Sequence, residues 1–133
     1  MPLFIWKPSY SVNNPELDRH HQSLFNLLNR LYQSCFDEND QLSPAAVHLE
    51  LAAYTDYHFT AEEQYMVQTG YTGLERHRSA HALFTERVKR LGETIETRDD
   101  AVLQELIVYL GNWLLNHVLE DDRDYALQAA LPA

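Results

Sequence analysis

With one cysteine, Cys35, the chain cannot close an internal disulfide, so its fold must hold without covalent staples. Cations are scarce too: ten Lys and Arg stand against twenty Asp and Glu, a formal net charge of −10. That deficit argues against nucleic acid, whose phosphates require clustered Lys and Arg. It also disfavours an anionic membrane surface. No apolar run approaches the length of a membrane span. The opening residues, Met1-Pro2-Leu3-Phe4-Ile5-Trp6-Lys7, lack the long apolar region of a secretory leader. These absences lead us to expect a soluble, cytoplasmic protein, and the acidic surface suits a monomer. Glycine and proline are few, four and five, and fall at punctuation points such as Pro15, Pro44, Gly70 and Gly73. The long stretches between them are free to be helical. At 133 residues the expectation is one domain over 1–133 with one core.

Four amphipathic segments follow one another. Residues 1 to 14 read as an irregular arm, but Phe4, Ile5, Trp6 and Tyr10 are too apolar for a free tail, so the arm should pack across the helices. Asn14-Pro15-Glu16 is a helix start: a capping Asn, Pro at the first helical position and an acid in the first turn. The first helix should run to Phe36 with an inward line of Leu17, His21, Leu24, Leu28, Leu31 and Cys35. His20, about 100° around the helix from that line, is expected at the surface. The polar stretch Asp37 to Gln41 ends this helix. Ser43-Pro44 opens a second helix with the line Val47, Leu51, Tyr54, His58, Glu62, Tyr65 and Met66, stopped by Gly70. Glu63 and His48 fall off it and are expected to be solvated. The third helix runs from Leu74 to Thr94 with Leu74, His77, His81, Phe84, Val88, Leu91 and Ile95 inward. Asp99 or Asp100 caps a fourth, with Leu103, Leu106, Leu110, Trp113, Leu114 and His117 inward. Val118 to Leu131 is less regular and could carry a short helix with Tyr125 and Leu127. The fold class is therefore all-α: an antiparallel up-down-up-down four-helix bundle with an irregular N-terminal arm and a short C-terminal segment.

Each predicted inward line carries at least one histidine. A lone histidine on an apolar face is ordinary core. Here, however, His58 and Glu62 lie four residues apart, and so do His77 and His81, which stacks each pair on one helix face about 40° apart. With His21, His117 and Asp122 this makes five imidazoles and two carboxylates, costly to bury without a common partner. Seven donors are too many for one tetrahedral zinc ion and point to two metal ions. Nitrogen-rich donors with carboxylates suit first-row metals such as iron. The helix-borne Glu-x-x-His pattern of ferritin-like bundles does not occur. Asp122 lies five residues past His117, about 140° around a regular helix, so the two share a face only if the backbone between Val118 and Asp121 is irregular.

These pieces together resemble the hemerythrins, specifically the single-domain bacterial ones. The resemblance is carried by Asp18-Arg19-His20-His21, by His58-Phe59-Thr60-Ala61-Glu62-Glu63 with Met66, and by His77-Arg78-Ser79-Ala80-His81. It also rests on Trp113-Leu114-Leu115-Asn116-His117 with Asp122 and Tyr125, and it spans Trp6 to Tyr125. Two departures stand out: His20 where the family often has Gln, and Asn13 where it often has Gly. Asn tolerates left-handed backbone better than most residues.

The resemblance implies two iron ions, with His77, His81 and His117 on one and His21 and His58 on the other. It further implies that Glu62, Asp122 and a solvent-derived oxo or hydroxo group bridge them. One position on the second ion is left for dioxygen, with Leu24, Phe59, Trp113, Leu114 and Val118 around it. The implied function is reversible dioxygen binding for storage, delivery or sensing, and delivery would require an oxygen-consuming enzyme as partner. No acid or base beyond the ligands is set aside for a substrate, which favours a binding protein over an enzyme. The alternative is a di-iron enzyme reducing nitric oxide or peroxide.

Overall fold

Capping chemistry sets the helix boundaries. The computed structural model describes residues 4–37 and 43–122. Helix α1 spans Pro15–Phe36, and the Asn14 side chain accepts from the backbone N–H of Glu16 and Leu17 at 3.1 and 3.2 Å. Helix α2 spans Pro44–Thr69 behind Ser43, whose hydroxyl oxygen accepts from Ala46. It stops where Gly70 turns left-handed at φ 69°, a conformation that glycine adopts without steric cost. Helix α3 spans Leu74–Thr97, three residues beyond the expected end at Thr94, and closes on a left-handed Arg98. Helix α4 spans Asp100–Asn116, and it is Asp99 that caps it, accepting from Val102 N–H at 3.2 Å. A π-helical turn, His117–Asp122, continues α4.

The helices pack in sequence order, α1 on α2, α2 on α3 and α3 on α4, and α4 closes the ring against α1. This is an all-α four-helix bundle. Its core is built from Leu24, Leu28, Leu31, Leu51, Phe84, Leu91, Leu110 and Leu114, all essentially inaccessible. In α4 the buried line is Leu103, Ile107, Leu110 and Leu114, so Leu106, expected inward, is only partly covered. Cys35 is likewise half-buried. A smaller cluster of Val12, Leu17 and Met66 closes the end of the bundle where α1 begins. Among the described residues no helix is long and apolar enough to cross a membrane.

The arm packs as its composition predicts. Phe4, Trp6 and Tyr10 gather on Phe25, whereas Ile5 points outward. The Phe4 backbone donates to and accepts from the Asn29 side chain at 2.7 and 2.6 Å. The Phe4 ring lies over Gly111 of α4 so closely that a Cβ there would come within 1.7 Å of it. A 3₁₀ turn, Pro8–Tyr10, leads to Asp18, whose carboxylate accepts from Ser11 Oγ and Val12 N–H. Asn13, one of the two departures from the family pattern, takes the left-handed conformation at φ 59°. Most of the polar stretch after Asp37, and the expected C-terminal segment with Tyr125 and Leu127, lie outside the described residues.

Candidate metal centre

Four elements converge at the end of the bundle where α1 begins. α1 supplies His21, α2 supplies His58 and Glu62, α3 supplies His77 and His81, and the π-helical turn supplies His117 and Asp122. The turn resolves the awkward five-residue spacing. Hydrogen bonding from i to i+5 widens the turn and brings residues five apart onto one face, so His117 and Asp122 face the same way. All seven side chains are buried: His21, His58, Glu62 and Asp122 completely, and the other three almost so.

The donor atoms fall into two groups. One comprises Glu62, His77, His81, His117 and Asp122, and the other His21, His58 and Glu62; within each, the donor atoms lie within 4.8 Å of one another. Each carboxylate divides its oxygens between the groups. Glu62 Oε1 lies 3.2 Å from His77 Nε2 and 3.4 Å from His81 Nε2, while its Oε2 lies 3.3 Å from His21 Nε2 and 2.7 Å from His58 Nε2. Asp122 Oδ1 lies 2.9 Å from His77 Nε2 and 3.1 Å from His117 Nε2, while its Oδ2 lies 3.1 Å from His21 Nε2.

These contacts fit cation donors better than a hydrogen-bonded core. Among the described residues neither oxygen of Asp122 receives a hydrogen bond, nor does His58 Nε2 make one, although their neighbours are close. His81 Nε2 and His117 Nε2 point at each other across 3.1 Å. Two nitrogens each about 2.1 Å from one first-row ion, at right angles, would be about 3 Å apart. A pair of cations would satisfy donors that hydrogen bonds alone leave misaligned.

The electrostatics cut across the two groups. Burial alone would keep His21 neutral, but the Asp122 and Glu62 carboxylates outweigh it and raise His21 to about 9. His77 is raised on the same balance. His58 is lowered, because burial prevails over its contact with Glu62. Burial opposes ionisation of Glu62, yet the neighbouring His58, His21 and His77 hold its carboxyl well below the usual range. Asp122 is likewise lowered: burial and the Glu62 charge oppose ionisation, and His117 and His21 prevail.

The surroundings differ from the expected ones. His20, assigned to the surface, is only 5% exposed, and its Nδ1 lies 3.0 Å from Nδ1 of His58. Its burial follows from a second line on α1, Leu17, His20, Leu24, Leu27 and Leu31, which has the same 3-4 spacing as the first. Glu63, expected to be solvated, is half-buried: its Oε2 lies 3.0 Å from His81 Nδ1, and its Oε1 accepts from Arg78 Nε at 3.0 Å. Nothing in one dimension announces this, since the partners lie fifteen and eighteen residues away. His48, also expected outside, is half-buried with its Nε2 2.7 Å from the Val88 carbonyl. Leu24, Leu114 and Val118 are wholly buried in the core beside the centre. Phe59 stacks on His81 with ring centres 3.7 Å apart, and Trp113 stacks on His117 at 4.6 Å. Both rings therefore cover the three-histidine group, whereas the aromatic beside His21 is Trp6 of the arm, at 6.2 Å.

Comparison with known proteins agrees with this geometry. Residues 13–129 match the family model described as "Hemerythrin HHE cation binding domain". A bacteriohemerythrin of Clostridium acetobutylicum is 30% identical over 129 residues, covering 92% of this chain and 98% of that one. A myohemerythrin of Riftia pachyptila is 30% identical over 122 residues, covering 92% and 90%. Two crystal structures of hemerythrin variants superpose with TM-scores of 0.85 and 0.84 at 22% identity, each covering 98% of this chain and 100% of the other. At that identity they speak for the fold alone.

Proposed function

The chain belongs to the hemerythrin family, and from that premise we propose that it is a non-haem di-iron protein that binds dioxygen reversibly. The observation that carries the reading is the division of carboxylate oxygens between a three-histidine and a two-histidine group. In this reading His77, His81 and His117 hold one iron, and His21 and His58 hold the other. Glu62 and Asp122 would serve both ions, each through its two oxygens, together with a solvent-derived oxo or hydroxo group. The pair of ferrous ions would supply the electrons that make dioxygen binding favourable.

The protein's own contribution is placement and dryness. Four backbone segments hold the donors on rigid elements, which favours binding by limiting the ordering cost. The two groups differ by one imidazole, so the two-histidine side would leave one more position for a ligand. Leu24, Leu114 and Val118 exclude water from the surroundings, as reversible binding requires. Phe59 and Trp113 act differently, by holding His81 and His117 flat against an aromatic face.

Anaerobic reduction followed by air, with visible absorption and iron counted in one sample, tests this. Two irons per chain and a colour that appears with air and leaves under vacuum are expected. A colour that decays without return, or turnover with nitric oxide or peroxide, would instead mark a di-iron enzyme.

A further inference from the structure

We propose that His20 is a positioning residue for the two-histidine half of the centre, accepting a hydrogen bond from His58 Nδ1–H and thereby holding His58 Nε2 toward Glu62. The inference rests on the two-metal reading above and deepens it. Its basis is a tautomer argument. The two Nδ1 atoms are 3.0 Å apart, and because His20 belongs to neither donor group no ion stands between them, so the pair shares one proton. A ligating Nε2 must carry its lone pair outward, so the proton of His58 sits on Nδ1. His58 is therefore the donor and His20 Nδ1 the acceptor. The proton of His20 is then on Nε2, which points toward Glu16 Oε1 at 4.0 Å. The alternative tautomer would put a proton on His58 Nε2, between the nitrogen and the metal.

The packing around His20 suits this role. Tyr54 meets its ring edge-on at 5.9 Å and Tyr57 lies at 5.1 Å, so the imidazole is held while its Nδ1 edge faces inward. His58 itself is fully buried, and the contact with His20 is the hydrogen bond its Nδ1 makes among the described residues. Losing that acceptor would leave a buried N–H without a partner and free the ring to rotate. The stacking and burial of the three-histidine group do not involve His20, so an effect should be confined to one ion.

His20→Leu and His20→Asn form the test, because the two replacements are close in shape and differ in polarity. Asn places its Oδ1 as many bonds from the backbone as Nδ1 of histidine. The wild type and both variants are loaded anaerobically with ferrous iron, counted and challenged with a chelator. The wild type should hold two irons. In His20→Leu one of the two should leave 10- to 100-fold faster, the scale for losing an outer partner of a metal ligand, and the other at the wild-type rate. His20→Asn should restore much of the retention. The Nδ1–H proton resonance of His58 should move upfield in the Leu variant and return in the Asn variant. Wild-type release of both ions from His20→Leu would overturn the proposal. So would equal defects in the two variants, which would assign the effect to lost volume. A wild type that takes up fewer than two ions would overturn the two-metal reading itself, a distinct result.

Discussion

Glu62 and Asp122 each touch histidines of both the three-histidine and the two-histidine group, but the two groups are backed by different chemistry. Behind His81 stands Glu63, a carboxylate tied to Arg78 and open to solvent at one side, and aromatic rings cover His81 and His117. Behind His58 stands the buried imidazole of His20, and the ring beside His21 belongs to the arm rather than to the bundle. A carboxylate partner makes a ligating imidazole a stronger donor and adds negative charge toward the ion. An imidazole partner orients without adding charge. On the two-metal reading, the three-histidine side should hold its ion more tightly than the two-histidine side.

The largest effect should come from abolishing what the groups share. Glu62→Ala or Asp122→Ala should reduce iron per chain from two toward zero by elemental analysis, because in the proposed reading each carboxylate serves both ions. One iron retained at full occupancy would show that the carboxylate serves a single side. Next in size, His21→Ala and His81→Ala should each leave about one iron per chain, lost from opposite sides. Chelator extraction should then find the iron kept by His21→Ala the slower to leave. Glu63→Gln keeps an acceptor but removes the charge, and should weaken the three-histidine site by roughly 10-fold, with the other site untouched. Equal weakening of both sites in a competition titration would erase the distinction drawn here.

Two smaller effects concern stability. In the metal-free protein, the lowered Glu62 and Asp122 contribute stability above their unfolded range near about 4, and that contribution is lost as pH falls below it. The raised His21 contributes fully below about 6.5 and loses its contribution as pH rises through about 9. Urea midpoints should therefore fall on both sides of neutrality. Iron should remove the alkaline loss, because ligating imidazoles carry no extra proton. Last, Gly111→Ala drives a methyl into the Phe4 ring and should cost about 1–3 kcal/mol. It should also change Trp6 fluorescence and leave the three-histidine site intact. Unchanged melting and fluorescence would mean that the arm yields without loss.

Much of this was legible in one dimension. Helix limits followed from Asn14-Pro15, Ser43-Pro44, Gly70 and Asp99, because capping and left-handed closure are local chemistry that a few adjacent residues settle. The bundle followed from four apolar lines joined by short connections. His58 with Glu62 and His77 with His81 could be paired because four residues make one helical turn, and the offset of Asp122 from His117 predicted the irregular backbone that appears as a π-helical turn.

The tertiary structure decided the surroundings. His20 looked exposed beside the His21 line, but a helix touching two neighbours buries a wider face than a single line, and α1 packs on both α2 and α4. Glu63 looked solvated until α3 brought His81 and Arg78 against it. Phe59 and Trp113 were expected near the centre, and the faces they present to His81 and His117 were set by packing. Local sequence determines which residues turn inward, because helix periodicity is a property of one segment. What each of them meets there depends on the rotation and height of the neighbouring helices, which only their mutual packing sets.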